Sequence, residues 1–110
     1  MPLYVTRGNY SSEAMKNLMA KPEDRAEAVG KLFAAIGGKL HGLYFTFGEY
    51  DFLLIAEAPN EKDMAAALLT AAGTGSVTNL NTTVAIASSD MKGVFGKAAS
   101  FAGQFRPAGR

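Results

Sequence analysis

Five consecutive apolar residues, Phe52, Leu53, Leu54, Ile55 and Ala56, stand between two acids, Asp51 and Glu57. A strand with one face in water alternates apolar and polar side chains, because successive residues point to opposite faces. A strand without that alternation is covered on both faces. This run therefore demands an element packed on each side of its sheet. No apolar run in the chain approaches the length of about 20 residues that crosses a bilayer.

The flanking sequence says what the sheet is built from. Residues 3–9 open with β-branched and aromatic side chains and predict a strand, closed by Tyr10-Ser11-Ser12. Ser11 or Ser12 caps a short helix from Glu13 to about Ala20, which Pro22 stops. Pro22, Glu23 and Asp24 suit the first turn of a second helix, whose apolar face is Ala26, Val29, Leu32, Phe33 and Ile36 and whose end is Gly37-Gly38. A strand over 39–47 and the run at 52–56 flank the turn Gly48-Glu49-Tyr50. Pro59 ends the second of them. Asn60 caps a helix with Met64, Ala65, Leu68, Leu69 and Ala72 on one face, closed by Gly73-Thr74-Gly75. The last strand, 77–87, sets Leu80, Thr82, Val84 and Ile86 on one face and Asn79, Asn81, Thr83 and Ala85 on the other. Met15, Met19 and Met64 read as core filler.

The order strand, helix, strand, strand, helix, strand predicts an α+β chain with the ferredoxin-like βαββαβ arrangement, a four-stranded antiparallel sheet carrying its helices on one face. The run at 52–56 then lies in the middle of that sheet, and its other face needs a cover. A second copy of the same sheet is the simplest one, which predicts a homodimer with a barrel-like interior.

Composition narrows the function classes. One domain of ordinary size accounts for 110 residues. Eleven basic against ten acidic residues is too even for a general electrostatic attraction to nucleic acid. With no cysteine and a single histidine, thiolate chemistry and multi-histidine metal sites are excluded. Glu49, Asp51 and Glu57 have no close ligand spacing, so neither a metal nor a cofactor is expected. The first residues lack a basic stretch followed by an apolar one, and a cytoplasmic chain is the expectation. Charge is uneven. Residues 1–89 hold seven Lys/Arg and nine Asp/Glu, whereas 90–110 hold Lys92, Lys97, Arg106 and Arg110 against Asp90. We therefore divide the chain into a domain, 1–89, and an extension, 90–110. In the extension Met91, Val94, Phe95, Ala98, Phe101, Ala102 and Phe105 recur at helical spacing, predicting an amphipathic helix over 91–105 that docks on the protein itself or its dimer partner rather than on a membrane.

Gly37-Gly38-Lys39-Leu40, then Tyr44, Thr46, Gly48-Glu49-Tyr50-Asp51-Phe52, Ile55 and Glu57-Ala58-Pro59 resemble the core of the GYD domain family. Tyr4-Val5-Thr6 and the stretch 22–38 also fit. Asn60 departs from the acid common at that place, and nothing beyond Asp90 corresponds. The resemblance implies a ferredoxin-like α/β fold related to the dimeric α+β barrels. It implies no reaction.

The candidate site residues are His41, Tyr44, Tyr50, Asp51, Arg7 and Asn9. His41 is the chain's only imidazole. A three-residue hairpin loop would pair Phe47 with Asp51 and set His41 opposite Glu57, as a proton-transfer pair or an exposed cross-strand pair; a two-residue loop would separate them. Tyr50 and Asp51 offer a donor and an acceptor to a ligand, or else build the turn. Arg7 and Asn9 share a strand face that would line a polar cavity or meet solvent. Gly73-Thr74-Gly75-Ser76 follows a helix and precedes a strand, the wrong context for a phosphate loop. These features predict a homo-oligomeric small-molecule binding module. The alternative is a small cofactor-independent oxygenase or isomerase of the dimeric α+β barrel type, with His41, Tyr44 or Tyr50 moving protons. A third class is a pure assembly protein.

Overall fold

The computed structural model describes residues 1–109. Its elements are β1 (Leu3–Tyr10), α1 (Ser12–Ala20), α2 (Arg25–Ala35), β2 (Lys39–Phe45), β3 (Phe52–Glu57), α3 (Glu61–Gly73), β4 (Val77–Ala85) and α4 (Met91–Phe101). The four strands form one antiparallel sheet in the order β2-β3-β1-β4. This is the ferredoxin-like arrangement, with β3 and β1 central.

The sequence signals act through identifiable bonds. Ser11 caps α1 by accepting from the amide of Ala14 at 3.1 Å, and Asn60 caps α3 by accepting from that of Asp63 at 2.9 Å. The start of α2 differs from the expectation. Asp24 is its N-cap and accepts from the amide of Ala26, so Pro22 and Glu23 lie outside the helix. A carboxylate that satisfies an orphan amide while its own backbone is extended is a cap, not a first-turn residue. Gly37, at φ +82°, closes α2 together with the bond from the Gly38 amide to the carbonyl of Phe33.

The core lies between the sheet and α2 and α3. Tyr4, Phe52, Leu54 and Ala56 come from the central strands, and Phe33, Met64 and Ala67 from the helices. Thr6 is buried among them without cost, because its hydroxyl shares a 2.8 Å hydrogen bond with that of Thr82. Three side chains assigned to the core lie elsewhere. Leu69 is 72% and Met19 74% exposed, and Ala65 is exposed too. Ala67 takes the inward place beside Leu68, so the buried stripe of α3 is rotated away from Leu69.

Burial alternates strictly along β3 although its hydropathy does not. Phe52, Leu54 and Ala56 are buried, and Leu53 and Ile55 are half-buried. The helix-free face, formed by Leu53 and Ile55 with Leu3 and Val5 of β1, has no second layer among the described residues.

The extension is helical as expected. It runs as α4 and continues as a 3-10 turn at Ala102–Gln104, entered through another at Ser88–Asp90. It does not pack on its own domain. Every residue of α4 beyond Met91 is exposed, including Val94, Phe95 and Phe101. The long axis reaches 60 Å and the radius of gyration 17.9 Å, against about 13 Å for a compact chain of this length.

Candidate functional site

The helix-free face has two polar ends. Five of the six candidate residues divide between them, and Arg7 lies midway, so they do not form one site. From Asp51 to Glu57 the strand advances about 20 Å.

At the first end is His41. β2 pairs with β3 as Lys39↔Glu57 and Leu40↔Ala56, then as Gly42↔Ile55, so His41 is the extra residue of a bulge. The last pair before the turn is Phe45↔Phe52. The Thr46 amide bonds the Asp51 carbonyl at 2.8 Å, which leaves 47–50 as the tip. The loop is thus neither of the two lengths considered from sequence. The ladder sets Lys39, not His41, opposite Glu57, and His41, bulged from the strand, still brings Nε2 to 3.2 Å from Glu57 Oε2, with both side chains partly exposed. Tyr44 folds back along β2. A Cβ placed on Gly42 would sit 2.9 Å from the Tyr44 hydroxyl, so the phenol covers the bulge beside His41. Between these groups, the chain's first residues and the end of β4 lies an open cavity of about 450 Å³, whose polar lining comes from His41, Glu57 and Asp90 and whose apolar walls include Leu3, Val84 and Ile86.

At the other end, the hairpin turn is tied to β1. Asp51 Oδ2 accepts from the Tyr10 amide at 3.0 Å, and the Asp51 amide donates to the Gly8 carbonyl at 2.8 Å. Asn9 Nδ2 donates to the Glu49 carbonyl at 3.2 Å, and Asn9 Oδ1 accepts from Asn79 Nδ2 at 3.0 Å. The Tyr50 carbonyl accepts from the Thr46 hydroxyl at 2.6 Å. Asp51 and Asn9 thus use their polar atoms to hold the Gly-Glu-Tyr-Asp turn against β1. Arg7 lies midway on the face, across from Leu53 and Asn81, in no ion pair among the described residues.

Sequence reasoning missed Asp90 and the end of β4 as cavity walls, since strand pairing across the sheet brings them to His41. It missed the second bulge too. β1 pairs Arg7↔Asn81 but Asn9↔Thr78, and Asn79 takes φ 53° there. An asparagine inside a strand is the available signal, because Asn tolerates the left-handed region better than most residues. Behind the turn, on the helix side, Tyr10 stacks on Phe45 at 5.1 Å between ring centroids. Burial pushes its phenol above the ordinary value; the Arg25 guanidinium opposes this and Asp51 adds to it. Among the described residues no three His, Cys, Asp or Glu side chains converge as metal ligands, and no helix is long and apolar enough to cross a membrane.

An antiparallel βαββαβ sheet with an uncovered face, a tied Gly-Glu-Tyr-Asp hairpin and a histidine bulge defines a ferredoxin-like α+β domain. The GYD domain model matches residues 4–95, and the chain belongs to that family. The matched stretch runs into α4. No curated protein matches the sequence. Among solved structures, MtbAldR is similar with a TM-score of 0.52 and 17% identity over 77% of this chain and 52% of that one. TTHA0845 from Thermus thermophilus gives 0.51 and 13% identity over 80% and 96%. FFRP-DM1 gives 0.48 and 21% over 78% and 100%. At these identities the likeness is one of fold alone.

Proposed function

We propose that the protein is a homo-oligomeric small-molecule binding module whose ligand sits over the helix-free face at its His41 end. One observation carries this reading: Leu3, at the end of the half-buried apolar centre that Val5, Leu53 and Ile55 continue, lines a cavity of about 450 Å³ together with the His41–Glu57 pair. Apolar walls with a few convergent polar groups are the ordinary make-up of a small-molecule site. The second copy supplies the missing cover, and the ligand is a compact molecule with an apolar body and a polar end directed at His41 and Glu57.

A second reading rests on the same pair. A carboxylate 3.2 Å from an imidazole orients it, the arrangement of a general base. On that reading the chain is a cofactor-independent oxygenase or isomerase, with His41 moving the proton and Tyr44 beside it.

Sedimentation equilibrium at micromolar concentration, followed by mass spectrometry of the small molecules released on denaturation, tests the proposal. We expect a mass at least twice 11.6 kDa and a released compound that His41→Ala and Tyr44→Phe variants retain less well. A monomer that releases nothing would overturn it. Conversion of the released compound by fresh protein, lost in His41→Ala, would favour the enzymatic reading.

A further inference from the structure

Two surfaces of this chain match each other and do not meet within it. The first is the apolar stripe of α4. Val94, Phe95 and Phe101 lie along it, while Gly93, Gly96 and Gly103 fall on the opposite side. The second is a trough of about 370 Å³ between α2 and the bulged edge strand β2. Its wall on α2 is Ala26, Gly30 and Ala34, one turn apart, and Gly38, Lys39, Leu40, His41 and Gly42 complete it. The large side chains of α4 match the small-residue wall of α2, which is the packing of ridges into grooves. Charge sets the direction. Glu23, Asp24 and Glu27 mark the start of α2, an excess of acid over Arg25, which pairs with Glu23, and Lys31 and Lys39 lie toward its end. Along the extension Asp90 comes first and Lys92, Lys97 and Arg106 follow. Opposite charges meet when α4 runs antiparallel to α2.

We infer that α4 is an exchanged arm, and that it lies in the α2–β2 trough of a second copy of this chain. The arm leaves its own domain as an extended projection, so its occupant is another copy. The contact is reciprocal, each copy giving one arm and accepting one, which closes the pair without leaving a free apolar end. It leaves the apolar centre Leu3, Val5, Leu53 and Ile55 available for the interface proposed above and approaches the proposed ligand site at His41, which lines both the trough and the cavity; it rests on that homo-oligomeric reading.

Hydrogen exchange of the α4 amides tests it, alongside sedimentation of the same full-length samples. Gly30→Leu fills the trough. Nothing lies within 4 Å of a Cβ placed at Gly30, so the domain itself accommodates the change. Phe95→Ser with Phe101→Ser removes the knobs from the other side. We expect α4 to be protected at concentrations where the protein is oligomeric. Either variant lowers that protection roughly tenfold or more while the circular dichroism and core protection of residues 3–85 stay unchanged. Protection of α4 in a monomeric sample would place the arm on its own domain and overturn the inference. So would protection that Gly30→Leu leaves intact, which would put the arm on another surface. An oligomer with α4 unprotected throughout would sink the arm but not the oligomer; a monomer would sink both. Binding of the full chain, but not of a form ending at Ser89, to phosphatidylcholine vesicles containing phosphatidylserine, with α4 unprotected in solution, would assign the arm to a membrane instead.

Discussion

The two faces of β3 carry side chains of the same kind and have different surroundings. Phe52, Leu54 and Ala56 are 4, 6 and 0% exposed beneath α2 and α3, whereas Leu53 and Ile55 are only half-buried. Hydropathy is symmetric across the strand and burial is not. The helix-covered face is complete within one chain; the other is built of the same residue types without the layer that they require. The comparison teaches that the free face is suited to a cover that the described residues do not supply. Its polar groups stand around the apolar centre, His41 with Glu57 at one end, Asn9 with Asn79 at the other, and Arg7 with Asn81 beside Leu53.

The sharpest way to break this comparison is to remove one leucine from each face. Leu54→Ala should lower the stability of the monomeric form by about 2–5 kcal/mol, the range for a buried leucine whose cavity does not collapse. Leu53→Ala should cost less than half of that at high dilution, since its side chain already meets water. Urea unfolding at two protein concentrations reads both. If the Leu53→Ala cost grows with concentration, the free face is covered by association. Equal and large costs at high dilution would show that the two faces are buried alike in the monomer, and the comparison would fail.

How much of this was legible beforehand follows from the range of the interactions involved. Element order and helix caps came from local chemistry, as Ser11 and Asn60 show, each bonding an amide three residues away. The resemblance carried by the Gly-Glu-Tyr-Asp hairpin agreed with them. Bulges were not legible. A single inserted residue at His41 moves every later side chain relative to its partner, and no residue-type signal distinguishes it from a regular strand. The His41–Glu57 pair was therefore foreseen under a loop length that does not occur, and formed for another reason. The sequence leaves Asp51 as a ligand group or a turn builder and Asn9 as a cavity wall or a solvated position, and the choice depends on β1 coming alongside the turn, about forty residues away in sequence. Leu69 and Met19 show a further limit: periodicity finds an apolar stripe, but where the stripe is wide it does not say which edge faces the sheet.

The glycines give a second, smaller contrast between the faces. A Cβ at Gly8 would lie 2.7 Å from the Phe52 ring and 2.8 Å from Leu80 Cδ2, both in the packed layer. Gly8→Ala should therefore cost roughly 1–3 kcal/mol, the range for overpacking a core. A Cβ at Gly42 meets only the outer end of the Tyr44 phenol, at 2.9 Å. Tyr44 swings outward at little cost, and Gly42→Ala should leave stability within about 0.5 kcal/mol of the parent. Thermal unfolding of the two variants side by side checks this. A large loss at Gly42 would mean that the Tyr44 ring is held in place by something beyond its own chain.

The turn tie comes next in size. Asp51→Ala removes the acceptor for the Tyr10 amide, which part of the solvent can still reach, so the loss should be about 1 kcal/mol. Its signature is local. Hydrogen exchange at Tyr10 should quicken while that at Tyr4 and Leu54 stays as before. Uniform acceleration across β1 would instead mean that the turn governs the stability of the whole sheet.

The smallest expected effect concerns the phenol of Tyr10, which belongs to the covered face through its stacking on Phe45 and Phe52. Burial raises its pKa above the ordinary value of 10.0; Arg25 pulls it down and Asp51 pushes it up. The folded chain therefore holds this proton at a pH where the unfolded chain has released it. Stability falls as pH rises wherever the unfolded state binds fewer protons. The contribution of Tyr10 is thus constant below about pH 9 and declines once the pH passes about 10, until the folded phenol ionises as well. Tyr10→Phe keeps the ring and removes the titration. The difference in urea midpoint between parent and variant should be flat in the neutral range and move against the parent above about pH 10. A difference that stays constant throughout would mean that the ring lies on the covered face while its hydroxyl is fully hydrated, and the boundary between the two faces would then pass through the Tyr10 side chain itself.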